Sequence, residues 1–186
     1  MRWVPSKARL GGLSVLVTAG PTREYLDPVR FVSSPSSGKM GFAIAWAAAA
    51  RGARVTLVTG PTFLTPPPRV RTIRVVTARE MQRAVLRHTR ESDIVFMAAA
   101  VSDWRPVRTL TSKFKKSPRH RILRIPFRQN PDILEQIGRD KKRGQVLVGF
   151  AAETERLIPN ALGKLRRKSL DLIAANLVGP LAQGSG

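Results

Sequence analysis

The stretch Ser14-Val15-Leu16-Val17-Thr18-Ala19-Gly20-Pro21-Thr22, followed by Ser36-Ser37-Gly38-Lys39-Met40-Gly41, decides the fold. The first run is apolar and β-favouring and enters Gly-Pro, which predicts a strand over Ser14–Thr18. The second is a turn that opens a helix from Lys39 to about Arg51, with Phe42, Ala43, Ile44, Trp46 and Ala47 to Ala50 apolar nearly all round. Strand, glycine loop and helix start are how an α/β protein builds an anion site. The first backbone N–H groups of a helix have no intrahelical partners and carry partial positive charge. Glycines that merely turn the chain explain the loop equally well at this point. A P-loop is excluded, because Met40 stands where Ser or Thr should hold magnesium and the upstream Gly is missing. No G-x-G-x-x-G follows a strand, so a standard dinucleotide site is not expected.

On either side of this stretch the alternation of strand and helix repeats. A second strand, Arg54–Thr59, ends in Gly60-Pro61-Thr62, an echo of Gly20-Pro21-Thr22. A third, Thr72–Val76, precedes a helix over Ala78–Thr89, with Thr77 and Glu80 spaced as a capping box. The continuous apolar run Asp93–Ala98 suits a strand buried on both faces and enters Ala99-Ala100-Val101-Ser102-Asp103-Trp104. Asn130-Pro131-Asp132 starts a helix to about Asp140, Val146–Phe150 is a fifth strand, and a basic helix, Ile158–Lys168, leads to a sixth, Asp171–Ala175. Met1 to Gly12 reads as an irregular leader, Gly20 to Ser37 as a long loop, and Arg105 to Arg121 as a flexible basic flap. The expectation is one domain over residues 1–186, Rossmann-like α/β, with a mostly parallel sheet and helices on both faces. Ligands of such sheets sit beyond the carboxyl ends of the strands, where Gly20–Gly38, Gly60–Thr62, Ala99–Asp103 and Phe150–Thr154 all fall.

At 186 residues and 42% hydrophobic, the chain can bury a core, and it has no cysteine for a disulfide or thiolate metal site. It has no membrane-length apolar run and no signal-peptide pattern, so a soluble cytoplasmic protein is expected. Its 33 Lys and Arg against 12 Asp and Glu give +21, which points to polyanionic partners: nucleic acid or phosphorylated substrates. The basic residues are dispersed and only 6% of residues are aromatic, so stacking platforms are few and nucleic acid is not expected as the main partner. His88 and His120 are far apart and form no metal site. Asp103 and Asp132 both follow sheet ends, where either could hold a divalent cation on a triphosphate; Asp132 reads equally as a helix-start acid. Lys164 and Lys168, at i,i+4, repel one another unless an anion sits between them; otherwise they form a solvated face with Arg166 and Arg167. These residues reach a domain that binds a phosphorylated ligand. They do not reach a reaction.

Several motifs in order resemble a known family. They are Val17-Thr18-Ala19-Gly20-Pro21-Thr22-Arg23-Glu24, Leu26-Asp27-Pro28-Val29-Arg30, Ser36-Ser37-Gly38-Lys39-Met40-Gly41, Ala99-Ala100-Val101-Ser102-Asp103 and Lys113-Phe114-Lys115-Lys116. Asn130-Pro131-Asp132-Ile133-Leu134, Gly149-Phe150-Ala151-Ala152-Glu153-Thr154 and Asp171-Leu172-Ile173-Ala174-Ala175-Asn176 follow. Together they resemble phosphopantothenate–cysteine ligase, usually the C-terminal half of the bacterial bifunctional coenzyme A biosynthesis protein. The resemblance implies CTP-dependent joining of 4′-phosphopantothenate and cysteine through an acyl-cytidylate, with magnesium or manganese. By motif it implies that Ala99, Asp103, Lys113, Pro131, Asp132, Ile133, Leu134, Phe150, Lys164 and Lys168 bind the nucleotide, with Asp103 and Asp132 near the metal. It implies that Gly20, Ser36, Ser37, Gly38 and Lys39 hold the phosphopantothenate end, with Lys113 and Ser34 in catalysis. Ser34 stands where the family motif has Asn, and Leu177 where an Asp is common. A homodimer is also implied. Two other readings stay open: a non-catalytic nucleotide-binding relative, and a basic nucleic-acid-binding α/β protein.

Overall fold

The computed structural model describes residues 9–115 and 122–179. Its elements run β1 (Ser14–Ala19), β2 (Arg23–Tyr25), β3 (Phe31–Ser33), α1 (Lys39–Ala50), β4 (Arg54–Thr59), β5 (Arg71–Arg74) and α2 (Ala78–Thr89). They continue β6 (Ile94–Met97), β7 (Trp104–Pro106), β8 (Phe127–Gln129), α3 (Ile133–Arg139), β9 (Val146–Glu153), α4 (Leu157–Arg167) and β10 (Leu172–Leu177). Six strands form one parallel sheet in the order β5-β4-β1-β6-β9-β10. The chain winds outward from β1 to β5, then returns to β6 on the other side of β1. That reversal opens a crevice at the carboxyl ends of β1 and β6, where ligands bind in doubly wound folds.

The core lies on both faces of the sheet because β1 alternates. Leu16 faces a cluster with Val58, Met81, Val85, Val95, Ile133, Ile137 and Leu147. Val15, Val17 and Ala19 face the opposite one, with Phe42, Ala45, Ala48, Val55 and Leu57. Each fully buried aliphatic side chain contributes about 1.5–3 kcal/mol. Helix α1 seats against β1 at Gly41, where a Cβ would lie 2.5 Å from Ala19 Cβ and 2.7 Å from the Thr18 carbonyl. Only glycine lets the helix start come this close to the end of β1. Helix α2 begins with the expected capping box: Thr77 accepts from the Glu80 N–H, and the Glu80 carboxylate accepts from the Thr77 N–H.

Two loops are more structured than their composition predicts. The Gly20–Ser37 loop contains the antiparallel hairpin β2–β3, with Glu24 opposite Val32. The segment expected to be a flexible flap over 105–121 is ordered over residues 105–115. β7 pairs antiparallel with β8, and residues 107–115 return along the β2–β3 hairpin. Residues 116–121 of that flap lie outside the described residues, as do residues 1–8 of the leader. The rest of the leader is tied down, for the Leu10 N–H donates to the Arg51 carbonyl at 2.9 Å. Composition misled here because the ordering contacts come from distant backbone.

Candidate nucleotide site at the sheet's carboxyl edge

The crevice is held open by bonds between loops that follow different strands. After β1, the Gly20 carbonyl accepts from the Ala100 N–H at 2.9 Å, and the Thr22 N–H donates to the Ala100 carbonyl at 3.1 Å. The buried Thr22 hydroxyl accepts from the Ser102 N–H at 2.9 Å, and the buried Thr18 hydroxyl accepts from the Ala99 N–H at 3.1 Å. The loop after β6 is thus fixed residue by residue to the loop after β1. Asn130 ties it to α3 from the other side: its N–H donates to the Asp103 carbonyl at 2.7 Å, and its side-chain amide donates to the Ser102 carbonyl at 2.9 Å. Its Oδ1 accepts from the Arg105 guanidinium at 2.7 Å. A buried amide with every group engaged makes a rigid joint.

One cleft opens between these loops. It is lined by Ala99, Asp103, Pro131, Asp132, Ile133, Leu134, Phe150, Lys164 and Lys168 together with Met97, Val101, Ser102, Gln129 and Asn130. Nine of the ten residues expected at the nucleotide are in the lining; the tenth, Lys113, is not. Lys113 lies exposed in the stem after β7. The residues expected at the phosphopantothenate end are also elsewhere: Gly20 directly follows β1, and the others lie where the chain leads from β3 into α1. Gly38 is the helix N-cap, with φ at 79°, and no acidic residue stands in the first turn. The Ser36 hydroxyl accepts from the Gly38 N–H at 3.3 Å, and the Ser37 hydroxyl from the Lys39 N–H at 3.4 Å. Ser34 is exposed, and Gly20 is buried below. Near them the Thr62 hydroxyl is buried without a hydrogen-bond partner.

The charges in the cleft are arranged by three elements. Lys164, inside α4, donates to the Phe150 carbonyl at 2.6 Å. Lys168, the α4 C-cap, pairs with Asp132 at 2.5 Å. The two ammonium groups therefore do not need an anion between them; each turns to a different partner. Burial and then the charge of Lys168 push the Lys164 amine below its ordinary pKa, against the opposing pull of Glu153, Asp132 and Asp103. Burial alone would raise the Asp132 carboxyl, but the Lys168 hydrogen bond, the Glu135 N–H and the lysine charges outweigh it and hold it low. Asp132 is the N-cap of α3: its Oδ1 accepts from the Glu135 N–H at 2.9 Å. Both its oxygens are thus committed, one to the helix and one to Lys168. Asp103 is exposed, and among the described residues its carboxylate has no such commitment. Among the described residues no group of three or more His, Asp or Glu side chains could hold a metal, so a cation here would draw on Asp103, on Asp132 where Lys168 has left it, and on the ligand's own phosphates.

Thr18, Thr22 and Asn130 position this site, and composition alone does not single them out. Thr18 shows as a polar residue inside an apolar strand, and all three fall within the family motifs, which do not say what their side chains bond.

A doubly wound sheet, with a lysine-lined cleft beyond the strand ends and next to the topological reversal, defines a nucleotide- or phosphate-binding Rossmann-like domain. Residues 10–186 match the family model of the DNA/pantothenate metabolism flavoprotein C-terminal domain, and the chain belongs to that family. It is 48% identical over 170 residues to the coenzyme A biosynthesis bifunctional protein CoaBC of Haemophilus influenzae, covering 91% of this chain and 42% of that protein. The chain therefore spans less than half the length of that relative. A crystal structure of the C-terminal domain of a coenzyme A biosynthesis bifunctional protein CoaBC is 45% identical, with a TM-score of 0.79 over 90% of this chain and 78% of that one. A Cab2 mutant in complex with phosphopantothenate-cysteine is 19% identical, with a TM-score of 0.77 over 89% of this chain and 73% of that one; this likeness shows the fold.

Proposed function

We propose that this chain joins 4′-phosphopantothenate to cysteine at the expense of CTP, in coenzyme A biosynthesis. The observation that carries the reading is the convergence of nine motif residues, from four separate stretches of chain, on one cleft. Relatedness to CoaBC proteins at 48% identity supports it. In the proposed reaction the substrate carboxylate attacks the α-phosphorus of CTP, forming an acyl-cytidylate and releasing pyrophosphate. The cysteine amine then attacks the acyl carbon, the amide bond forms, and CMP leaves with the electron pair of the broken acyl–phosphate bond.

Lys164 and Lys168 would face the phosphates, where fixed positive charge stabilises the charge that builds on the leaving pyrophosphate. For Lys168 this means exchanging Asp132 for phosphate oxygens. Phe150 offers a flat face to the base, with Ala99 and Pro131 to Leu134 as the remaining walls. Magnesium or manganese, carried by the triphosphate and Asp103, would supply further charge neutralisation. Lys113 would reach the reacting phosphate from its stem, and the chain from Ser34 to Lys39 would hold the acyl end with Gly20. A homodimer in the cytoplasm belongs to the same proposal. Among the described residues no helix is long and apolar enough to cross a membrane.

The test is incubation with phosphopantothenate, CTP, magnesium and cysteine, with pyrophosphate and CMP measured separately. The proposal predicts both. CTP binding without either product would favour a non-catalytic relative, a reading that Ser34 motivates. Pyrophosphate without CMP would place the defect in the second step, and Ser34→Asn should then restore it, since an amide offers two donors where the hydroxyl offers one.

A further inference from the structure

Asp27 sits in the turn between β2 and β3, and its side chain is 1% exposed. A carboxylate this deep is costly unless each oxygen is hydrogen-bonded. Oδ1 accepts from the N–H groups of Val29 and Arg30, both at 2.8 Å, which closes the turn locally. That arrangement needs only one oxygen. The other reaches across the sequence: Oδ2 accepts from the Phe114 N–H at 3.1 Å, and the Arg30 Nε lies 3.7 Å from it. The Arg30 guanidinium in turn donates to the Phe114 carbonyl at 2.5 Å. Phe114 is therefore gripped at both backbone groups by one acid and one base of the same turn. Burial would raise the Asp27 carboxyl, but the three backbone N–H groups and the Arg30 charge hold it below the ordinary carboxylate range.

The N–H that Asp27 accepts belongs to the peptide unit that directly follows Lys113. A second attachment lies just before it, where the Leu110 N–H donates to the Leu26 carbonyl and the Thr109 hydroxyl to the Tyr25 carbonyl, both at 2.9 Å. Residues 111–113 are thus held at both ends against the hairpin, although their own side chains are exposed. We propose that Asp27 is a positioning residue: its second carboxylate oxygen fixes the backbone from which Lys113 is presented to the reacting phosphate. The inference rests on the ligase reading for what Lys113 does. The clasp itself does not.

Asp27→Asn separates the turn from the clasp. Its Oδ1 still closes the turn, but the amide nitrogen now faces the Phe114 N–H donor to donor. Misplacing a reacting group by about 1 Å costs roughly 10²-fold in rate, so kcat should fall about 10- to 100-fold. The KM for CTP should rise by a smaller factor than kcat falls, because the rest of the CTP cleft is built from other loops. Trypsin should cleave after Lys113 and Lys115 several-fold faster than in the parent chain, measured against cleavage after Arg143, which lies in a separate exposed loop. Tm, with Asp27→Ala as the variant that loses the turn as well, distinguishes the clasp from general destabilisation. Unchanged kcat and unchanged cleavage after Lys113 would overturn the proposal. So would a lower kcat with a Tm as low as that of Asp27→Ala and a CTP affinity weakened by the same factor as kcat. If the parent chain makes no product, the ligase reading fails, and the ratio of cleavage at Lys113 to cleavage at Arg143 still decides the clasp.

Discussion

Lys168 Nζ lies 2.5 Å from Asp132 Oδ2, joining the C-terminus of α4 to the N-terminus of α3 across the mouth of the cleft. The pair assigns Asp132 two structural tasks and leaves Lys168 a partner that a phosphate can displace. The pair is half-buried, with the Lys168 side chain 18% exposed, so the exchange requires that phosphate oxygens replace the carboxylate rather than leave the ammonium unpaired.

From that pair follows a contrast between two variants. Asp132→Ala removes the α3 cap, worth about 1 kcal/mol, and should lower Tm by roughly 2–4 °C in a thermal scan. Asp132→Asn keeps an oxygen for the Glu135 N–H and should lose less. It also releases Lys168, so CTP affinity measured by calorimetry should be equal or tighter, with magnesium present or absent. A magnesium-dependent loss of affinity in Asp132→Asn would show that this carboxylate binds the cation instead.

The depressed Lys164 amine predicts a pH dependence for triphosphate binding. Below its free-state pKa the amine is already charged, and affinity is at its plateau. A bound phosphate chain stabilises the ammonium and raises that pKa. Affinity therefore falls as pH rises through the free-state value and levels off above the bound-state value. In that window binding takes up a proton, which calorimetry in two buffers of different ionisation enthalpy reads directly. Lys164→Met should weaken CTP binding below the window and remove the proton uptake; an unchanged uptake would assign it to another group.

Gly138, in α3, packs on the backbone of the Lys168 cap. A Cβ there would lie 2.1 Å from the Lys168 carbonyl oxygen. In Gly138→Ala the end of α4 must move, at a cost of about 1–3 kcal/mol. Because Lys168 moves with it, CTP binding should weaken along with Tm. A variant that lost stability yet bound CTP as before would show that Lys168 is not held in place from α3.

Much of this was legible in the residues because the relevant forces are local. The apolar runs of Ser14–Thr18 and Arg54–Thr59 coincide with strands, and the Thr77–Glu80 box coincides with a helix start, since both depend on neighbours in sequence. The β2–β3 hairpin and the ordered part of the basic flap were not legible. The hairpin pairs locally, Arg23 with Ser33 and Tyr25 with Phe31, but its three-residue strands are too short to show a period, and the flap is held by bonds between residues more than eighty apart, such as Asp27 and Phe114. The lysine pair shows a different limit. Spacing places Lys164 and Lys168 on one face, but spacing says nothing of the Phe150 carbonyl and Asp132 that turn them apart.

The most direct measurement is mass spectrometry of the products after incubation with phosphopantothenate, CTP, magnesium and isotopically labelled cysteine. Ligase activity yields phosphopantothenoylcysteine carrying the label, with one CMP released for each amide formed. Intact phosphopantothenate and cysteine, beside a chain that binds CTP in the cleft, would contradict it.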